Sequence, residues 1–237
     1  MRQTSPREYE RLTQLRYQDG AVARKYHSEY TGPWTLTTLP ARVVAMRERR
    51  IIDQTMTNGF ERAAPPVRKV LDLPCGAGKL AVVFARHRFS VIAADISHEM
   101  MALAEAEYRK APGFTRFVRA DAAATGFEDA QFDAVVCLRL LHRVPDAIRV
   151  AILMELSRIC RKYVVLSAGL TGPQQELRRA LRRRITGAST VPYPVTKAVL
   201  TSQLSQAGLT PLRWAPVLPV LSSEWIVLCE KRVREEV

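Results

Sequence analysis

The chain has 237 residues, of which 47% are hydrophobic, enough for a sizeable buried core, and its 36 Lys and Arg against 23 Asp and Glu give a formal charge of +13 at pH 7. Its first twenty residues, MRQTSPREYERLTQLRYQDG, are polar where a secretory leader needs an apolar run, and no stretch approaches transmembrane length, so a cytoplasmic protein is expected. Cys75, Cys137, Cys160 and Cys229 form no C-x-x-C pair and the histidines show no ligand spacing, which speaks against a disulfide scaffold, a zinc module and a metal-dependent reaction.

Residues 7–60 read as helical, interrupted at Thr31-Gly32-Pro33-Trp34, with Val43, Val44, Met46, Ile51, Ile52 and Met56 on an apolar side. An apolar strand then ends at Asp72, a tight turn carries Gly76 and Gly78, and an Ala/Val/Phe-rich segment of helical character follows. Glycine lets the chain turn sharply there and lets a ligand lie against backbone N–H groups at the positive end of the next helix. A second strand over residues 91–95 ends in Asp95, a carboxylate suited to two ribose hydroxyls. Helical spacing over residues 97–110 has Ser97 as its N-cap and Pro112-Gly113 as its stop.

A third strand is expected over residues 117–122 and a fourth over residues 132–137, leading into Leu140-Leu141-His142. Residues 145–159 form a helix with Pro145 in its first turn and Ile148, Ile152, Leu156 and Ile159 as an apolar stripe, followed by a fifth strand over residues 163–167. Beyond lie an arginine-rich helix over residues 173–186, a Pro192-Tyr193-Pro194 loop, a helix over residues 196–207 stopped by Gly208, and extended segments over residues 209–217 and 224–230. This alternation predicts an α/β, doubly wound, mostly parallel sheet that binds ligands at the carboxyl ends of its strands.

Three nucleotide-binding readings compete for the glycine loop. The phosphate-binding loop of ATPases fails, because Leu73 stands at its first glycine and Leu80 replaces its hydroxyl residue. A dinucleotide fingerprint, G-x-G-x-x-A, is met by residues 76–81 with Asp95 near the acidic position, although no second mononucleotide half is found. The third reading rests on the strands after the loop. Taken together, VLDLPCGAGKL, the strand ending at Asp95, the strand ending at Asp121 and the strand leading into Leu140-Leu141-His142 resemble the class I S-adenosylmethionine-dependent methyltransferases.

The resemblance is strong over residues 67–168 and looser to Lys231. It implies a Rossmann-like, mostly parallel seven-stranded sheet with an antiparallel edge strand, preceded by amino-terminal helices. Residues 1–66 are expected as a helical lid or substrate-binding segment, and residues 67–237 as the cofactor-binding domain with a basic insertion at about residues 170–195. By similarity, Asp72, Gly76 and Gly78 surround the methionine part of S-adenosyl-L-methionine, with Pro74 and Cys75 in the same loop. Asp95, followed by Ile96, holds the ribose, Asp121 and Ala122 flank the adenine, and Leu138 lies beside the cofactor. Pro74 stands where a first glycine is common, and Cys160-Arg161-Lys162-Tyr163 replaces the usual Gly-Gly turn before strand five.

The implied chemistry is in-line methyl transfer that releases S-adenosyl-L-homocysteine, with His142 the candidate base. Tyr26, Tyr30 and Trp34 on the lid, Arg139 after strand four and Tyr193 in the insertion are the acceptor-side candidates; Arg139 pairs either with an acidic group of the acceptor or with a carboxylate of this chain. The sequence Cys-Leu-Arg-Leu-Leu-His lacks the Asn/Asp-Pro-Pro-aromatic signature of DNA and many RNA amino-methyltransferases, which points to a small-molecule or lipid-type acceptor bearing phosphate or carboxylate. The arginines at 42, 47, 49 and 50 and at 178–184 are either an anion- or nucleic-acid-binding surface or ordinary solvated helix faces. The alternatives are a nucleic-acid methyltransferase, a non-catalytic basic nucleic-acid-binding protein and an NAD-dependent oxidoreductase.

Overall fold

The computed structural model describes residues 39–172, 193–219 and 222–232. Seven strands form one sheet: β1 (Lys69–Asp72), β2 (Ser90–Asp95), β3 (Phe114–Arg119), β4 (Phe132–Cys137), β5 (Cys160–Gly169), β6 (Leu209–Pro216) and β7 (Glu224–Lys231). Their order is β3-β2-β1-β4-β5-β7-β6, with β1 to β5 parallel and β7 antiparallel to both of its neighbours. The antiparallel pairing expected at one edge is thus made by β7, inserted between β5 and β6. A second parallel mononucleotide half, which a dinucleotide fold needs, is not formed on that side.

Successive side chains of a strand leave on opposite faces, and here both faces are apolar because helices cover both. Val70, Val91, Ala93, Ala134, Val136 and Val165 pack on one side with α1 (Leu39–Thr55), α2 (Ala81–Phe84) and α3 (His98–Tyr108). Leu71, Ile92, Val135, Cys137, Val164 and Leu166 pack on the other side with α4 (Asp146–Ile159) and α5 (Lys197–Gln206). Among the described residues no helix is long and apolar enough to cross a membrane.

The cap at Ser97 and the stop at Gly208 follow the sequence expectations, and Thr196 caps α5. Ser97 Oγ accepts from Met100 N at 3.1 Å, Thr196 Oγ1 accepts from Val199 N at 3.2 Å, and Gly208 follows α5 with φ +72°. Three boundaries differ. The third strand starts and ends three residues earlier than expected, because Phe114 and Phe117 both pack on Tyr108 of α3, with ring centroids 5.2 and 5.5 Å away. Asp121 instead sits in a turn, its Oδ1 accepting from Ala123 N at 2.9 Å. No turn separates α4 from β5: residues 160–163, read as a turn replacement, are already strand, with Cys160 beside Phe132 and Tyr163 beside Ala134. The helical segment expected to run to residue 60 ends its α-helical part at Thr55 and continues as a π-helical turn, Met56–Phe60.

Arg149 of α4 has no solvent exposure, an unusual place for a cation. Its guanidinium donates to the carbonyls of Leu141 at 3.0 Å, Val144 at 3.2 Å and Tyr193 at 3.2 Å, and to Asp146 Oδ1 at 2.8 Å. It ties the segment after β4 to α4 and to the start of the Pro-Val stretch that leads into α5. Replacement by Ala would strand several buried acceptors, each at about 1–3 kcal/mol. We expect Arg149→Ala to lose about 3–5 kcal/mol in urea unfolding, and Arg149→Lys to recover less than half of it, since an ammonium cannot reach these acceptors at once.

Candidate functional site

Strands β1, β2 and β4 end on the same border of the sheet, β1 stopping at Asp72, level with Ala93 on one side and Val136 on the other. The chain leaves β1 across these ends: Leu73 N donates to Val136 O at 2.9 Å and Cys75 N to Ala94 O at 2.8 Å. This is the point where the strand order reverses, the place where open α/β sheets bind ligands.

Asp72 is buried there. Its Oδ2 accepts from the Tyr108 hydroxyl, while its Oδ1, also buried, has no hydrogen-bond partner among the described residues. Loss of water pushes its pKa from 3.8 up to about 8. Asp95, at the end of β2, is also buried and also raised by desolvation, but backbone donors oppose the shift. Gly76 N reaches its Oδ2 at 2.8 Å and Ser97 N its Oδ1 at 2.9 Å. Asp95 therefore shapes the glycine loop as well as the pocket floor.

These groups line a cavity of about 140 Å³. Its floor is Asp72, Pro74, Cys75, Gly76, Asp95 and Ile96, with Met100 behind. Leu138, Arg139, Leu140 and Arg143 form the wall after β4, and Lys79 and Leu80 come from the end of the glycine loop. Ala45, Glu48 and Arg49 of α1 form the roof.

The roof is held electrostatically. Glu48, only 4% exposed, meets the Arg139 guanidinium through Oε2 at 2.5 Å from Nη2 and 3.0 Å from Nε. Arg139 also lies 3.9 Å from Glu224 Oε1 of β7, and Arg49 Nε donates to Lys79 O at 3.0 Å. Burial pushes the Glu224 carboxyl up to about 7, aided by the charge of Glu48, and holds the Lys79 ammonium well below its usual value, aided by Arg139. Arg139 has φ +59°, a left-handed backbone that costs a non-glycine residue energy, and its N–H donates to Ser167 Oγ at 2.7 Å.

Most of the expected cofactor residues meet at this cavity: Asp72, Pro74, Cys75, Gly76, Asp95, Ile96 and Leu138. Gly78 does not line it. A Cβ at Gly78 would stand 3.1 Å from the Ala104 Cα, and its φ is +77°, so this glycine serves close packing of the loop on α3. Asp121 and Ala122 lie in the turn after β3, away from the cavity lining. His142 is in the 3-10 turn Leu141–Arg143, outside the lining; burial and three nearby arginines push its pKa down to about 3, so the ring is neutral in the physiological range. Tyr193 lies at the other end of that contact, its N–H donating to His142 O at 3.1 Å. Tyr26, Tyr30, Trp34 and the arginines at 178–184 fall outside the described residues.

Glu48, Lys79, Arg143 and Glu224 belong to the site and were not expected there. Glu48 carried one signal, as the sole acidic side chain between Arg42 and Arg50. Of the arginines at 42–50, Arg47 Nε lies 3.5 Å from Val217 O and Arg49 Nε donates to Lys79 O, while Arg158 and Arg161 form exposed ion pairs with Asp129 and Asp133.

Comparison with known proteins agrees with this geometry. Residues 70–163 match the family described as a methyltransferase domain. Phosphatidylethanolamine N-methyltransferase of Cereibacter sphaeroides is 34% identical over 122 residues, which cover 48% of this chain and 59% of that protein. Ubiquinone biosynthesis O-methyltransferase of Methylococcus capsulatus is 33% identical over 82 residues, covering 33% and 34%. The matches thus span between about a third and three fifths of the length of these curated relatives. Magnesium protoporphyrin IX methyltransferase from Synechocystis, solved with bound S-adenosylhomocysteine, superposes with a TM-score of 0.76 at 18% identity, covering 94% of this chain and all of that one. Residues 70–163 thus form a methyltransferase domain, and the fold around them is the one shared with the solved methyltransferase that holds S-adenosylhomocysteine.

The raised pKa of Asp72 makes stability depend on pH. Between its ordinary value of 3.8 and about 8 the folded chain keeps a proton that the unfolded chain releases. The stabilisation from the neutral form is therefore complete below about pH 4 and is lost as pH rises towards 8. Across that window the wild type is expected to lose up to about 1.4 kcal/mol per pH unit relative to Asp72→Asn, measured by urea unfolding of the two proteins.

Proposed function

We propose that this protein is a cytoplasmic S-adenosylmethionine-dependent methyltransferase acting on a small-molecule or lipid-type acceptor. The observation that carries the reading is the pairing of Asp72 and Asp95 across the glycine loop, with one buried Asp72 oxygen left without a hydrogen-bond partner among the described residues. A ligand ammonium is the group that such an oxygen fits, and it would draw the Asp72 proton off. Asp95 keeps lone pairs beyond its two backbone bonds for a ribose hydroxyl, and Gly76, with φ +52°, leaves the loop without a side chain on that side.

When bound, S-adenosylmethionine supplies an electrophilic methyl on a sulfonium. The chain contributes position and dryness. Leu138 and Met100 give apolar contact at the pocket wall, and α1 excludes water above it. His142, neutral and behind the wall, is at most an indirect proton acceptor, and an acceptor atom that is already a nucleophile needs none. The lipid and quinone-precursor chemistry in the names of the two curated relatives supports the acceptor class. The lipid and quinone chemistry in those names makes a nucleic-acid role the weaker reading.

Isothermal titration with S-adenosylmethionine, S-adenosylhomocysteine and NAD tests the cofactor, and a labelled-methyl assay over lipid, small-molecule and RNA fractions tests the acceptor. We expect both adenosyl ligands to bind and NAD not to. Asp95→Asn should weaken them about tenfold or more, because its amide nitrogen would face one of the backbone donors that the carboxylate now accepts. Label in RNA alone would overturn the acceptor class, and NAD binding alone would overturn the enzyme class.

A further inference from the structure

Glu48 and Arg139 present a recognition geometry already occupied from within the chain. A guanidinium fork receiving a planar carboxylate is the arrangement by which proteins select carboxylates. Arg139 is fixed in place, through its left-handed backbone and its N–H bond to Ser167. Its partner carboxylate arrives on α1, an element outside the sheet.

The space between them is small. The cavity of about 140 Å³ is below the range of about 300–1,000 Å³ in which proteins bury sizeable ligands, so a cofactor and an acceptor together require the roof to withdraw. Withdrawal of α1 takes Glu48 with it and leaves the half-buried Arg139 guanidinium beside Arg143, positive charge that an incoming anion neutralises. Glu224, 3.9 Å from Arg139, and the floor carboxyl Asp95 disfavour a dianion such as phosphate and leave room for a single negative charge.

We infer that the methyl acceptor carries a carboxylate, that this group replaces Glu48 on Arg139, and that Arg139 thereby determines acceptor specificity. The inference rests on the methyltransferase reading above. Glu48 then acts as a stand-in for the acceptor's carboxylate and keeps Arg139 neutralised until the acceptor arrives.

The test uses the whole chain saturated with S-adenosylhomocysteine, titrated at constant ionic strength with benzoate, its neutral isostere benzamide and inorganic phosphate. Glu48→Gln should bind benzoate at least tenfold more tightly than wild type, and the Glu48→Gln/Arg139→Gln double variant should lose that gain, while benzamide binds neither. In the wild type, benzoate should speed hydrogen exchange at α1 amides as Glu48 is released, a readout that does not depend on any variant folding. Equal benzoate affinity in wild type and Glu48→Gln, a gain that survives Arg139→Gln, unchanged exchange in α1, or tighter binding of phosphate than of benzoate each overturns the proposal. If S-adenosylhomocysteine itself fails to bind the wild type, it is the underlying methyltransferase reading that falls.

Discussion

Parallel strands covered by helices on both faces have one border where polar groups can gather, the ends of the strands. In this chain that border is made at the carboxyl ends of β1, β2 and β4, and the site depends on it. Asp72 and Asp95 finish strands whose inner side chains, Val70 and Leu71 and the run from Val91 to Ala94, are apolar, so each carboxyl is drawn into the dry edge of the core. Each meets that cost differently. Asp95 is satisfied by the backbone N–H groups of Gly76 and Ser97, which also set the course of the glycine loop. Asp72 has the Tyr108 hydroxyl on one oxygen and no hydrogen-bond partner among the described residues on the other, and burial keeps it protonated at neutral pH. The same desolvation that weakens the apo protein makes the site receptive to a cation.

The upper half of the site is organised by charge. Helix α1 packs on the sheet through Ile51 and Ile52, but its contact with the pocket is made by Glu48 and Arg49, one meeting the guanidinium of Arg139 and the other the carbonyl of Lys79. In water such pairs contribute little; in a dry site each partner needs the other, and removing one alone typically costs about 3–5 kcal/mol. The roof is therefore specific in where it docks without being large. Below it, Arg149 performs a related task for the wall, holding the turn after β4 against α4 and the segment at Tyr193. One buried and one half-buried arginine thus set the shape of a pocket whose floor is set by two buried aspartates.

Much of this architecture was legible before any coordinates. Apolar runs of strand length, each closed by an acid, marked β1 and β2, and the helix cap at Ser97 and the stop at Gly208 are short-range chemistry that the backbone obeys locally. The errors fall where distant contacts override local pattern. The third strand is shifted because Phe114 finds Tyr108, and residues 160–163 extend as strand because Cys160 and Tyr163 find partners along β4. Gly76 and Gly78 look alike in the motif, yet one opens on the cavity and the other packs on Ala104.

The floor of the site could be read from the order of residues because its members lie within a few residues of strand ends, where period and composition set position. The roof could not. Glu48 and Arg139 are 91 residues apart, and each alone reads as an ordinary charged side chain. Only packing of α1 across the strand ends brings them together, and only the loss of water around them turns two common surface residues into a paired, buried feature of the pocket.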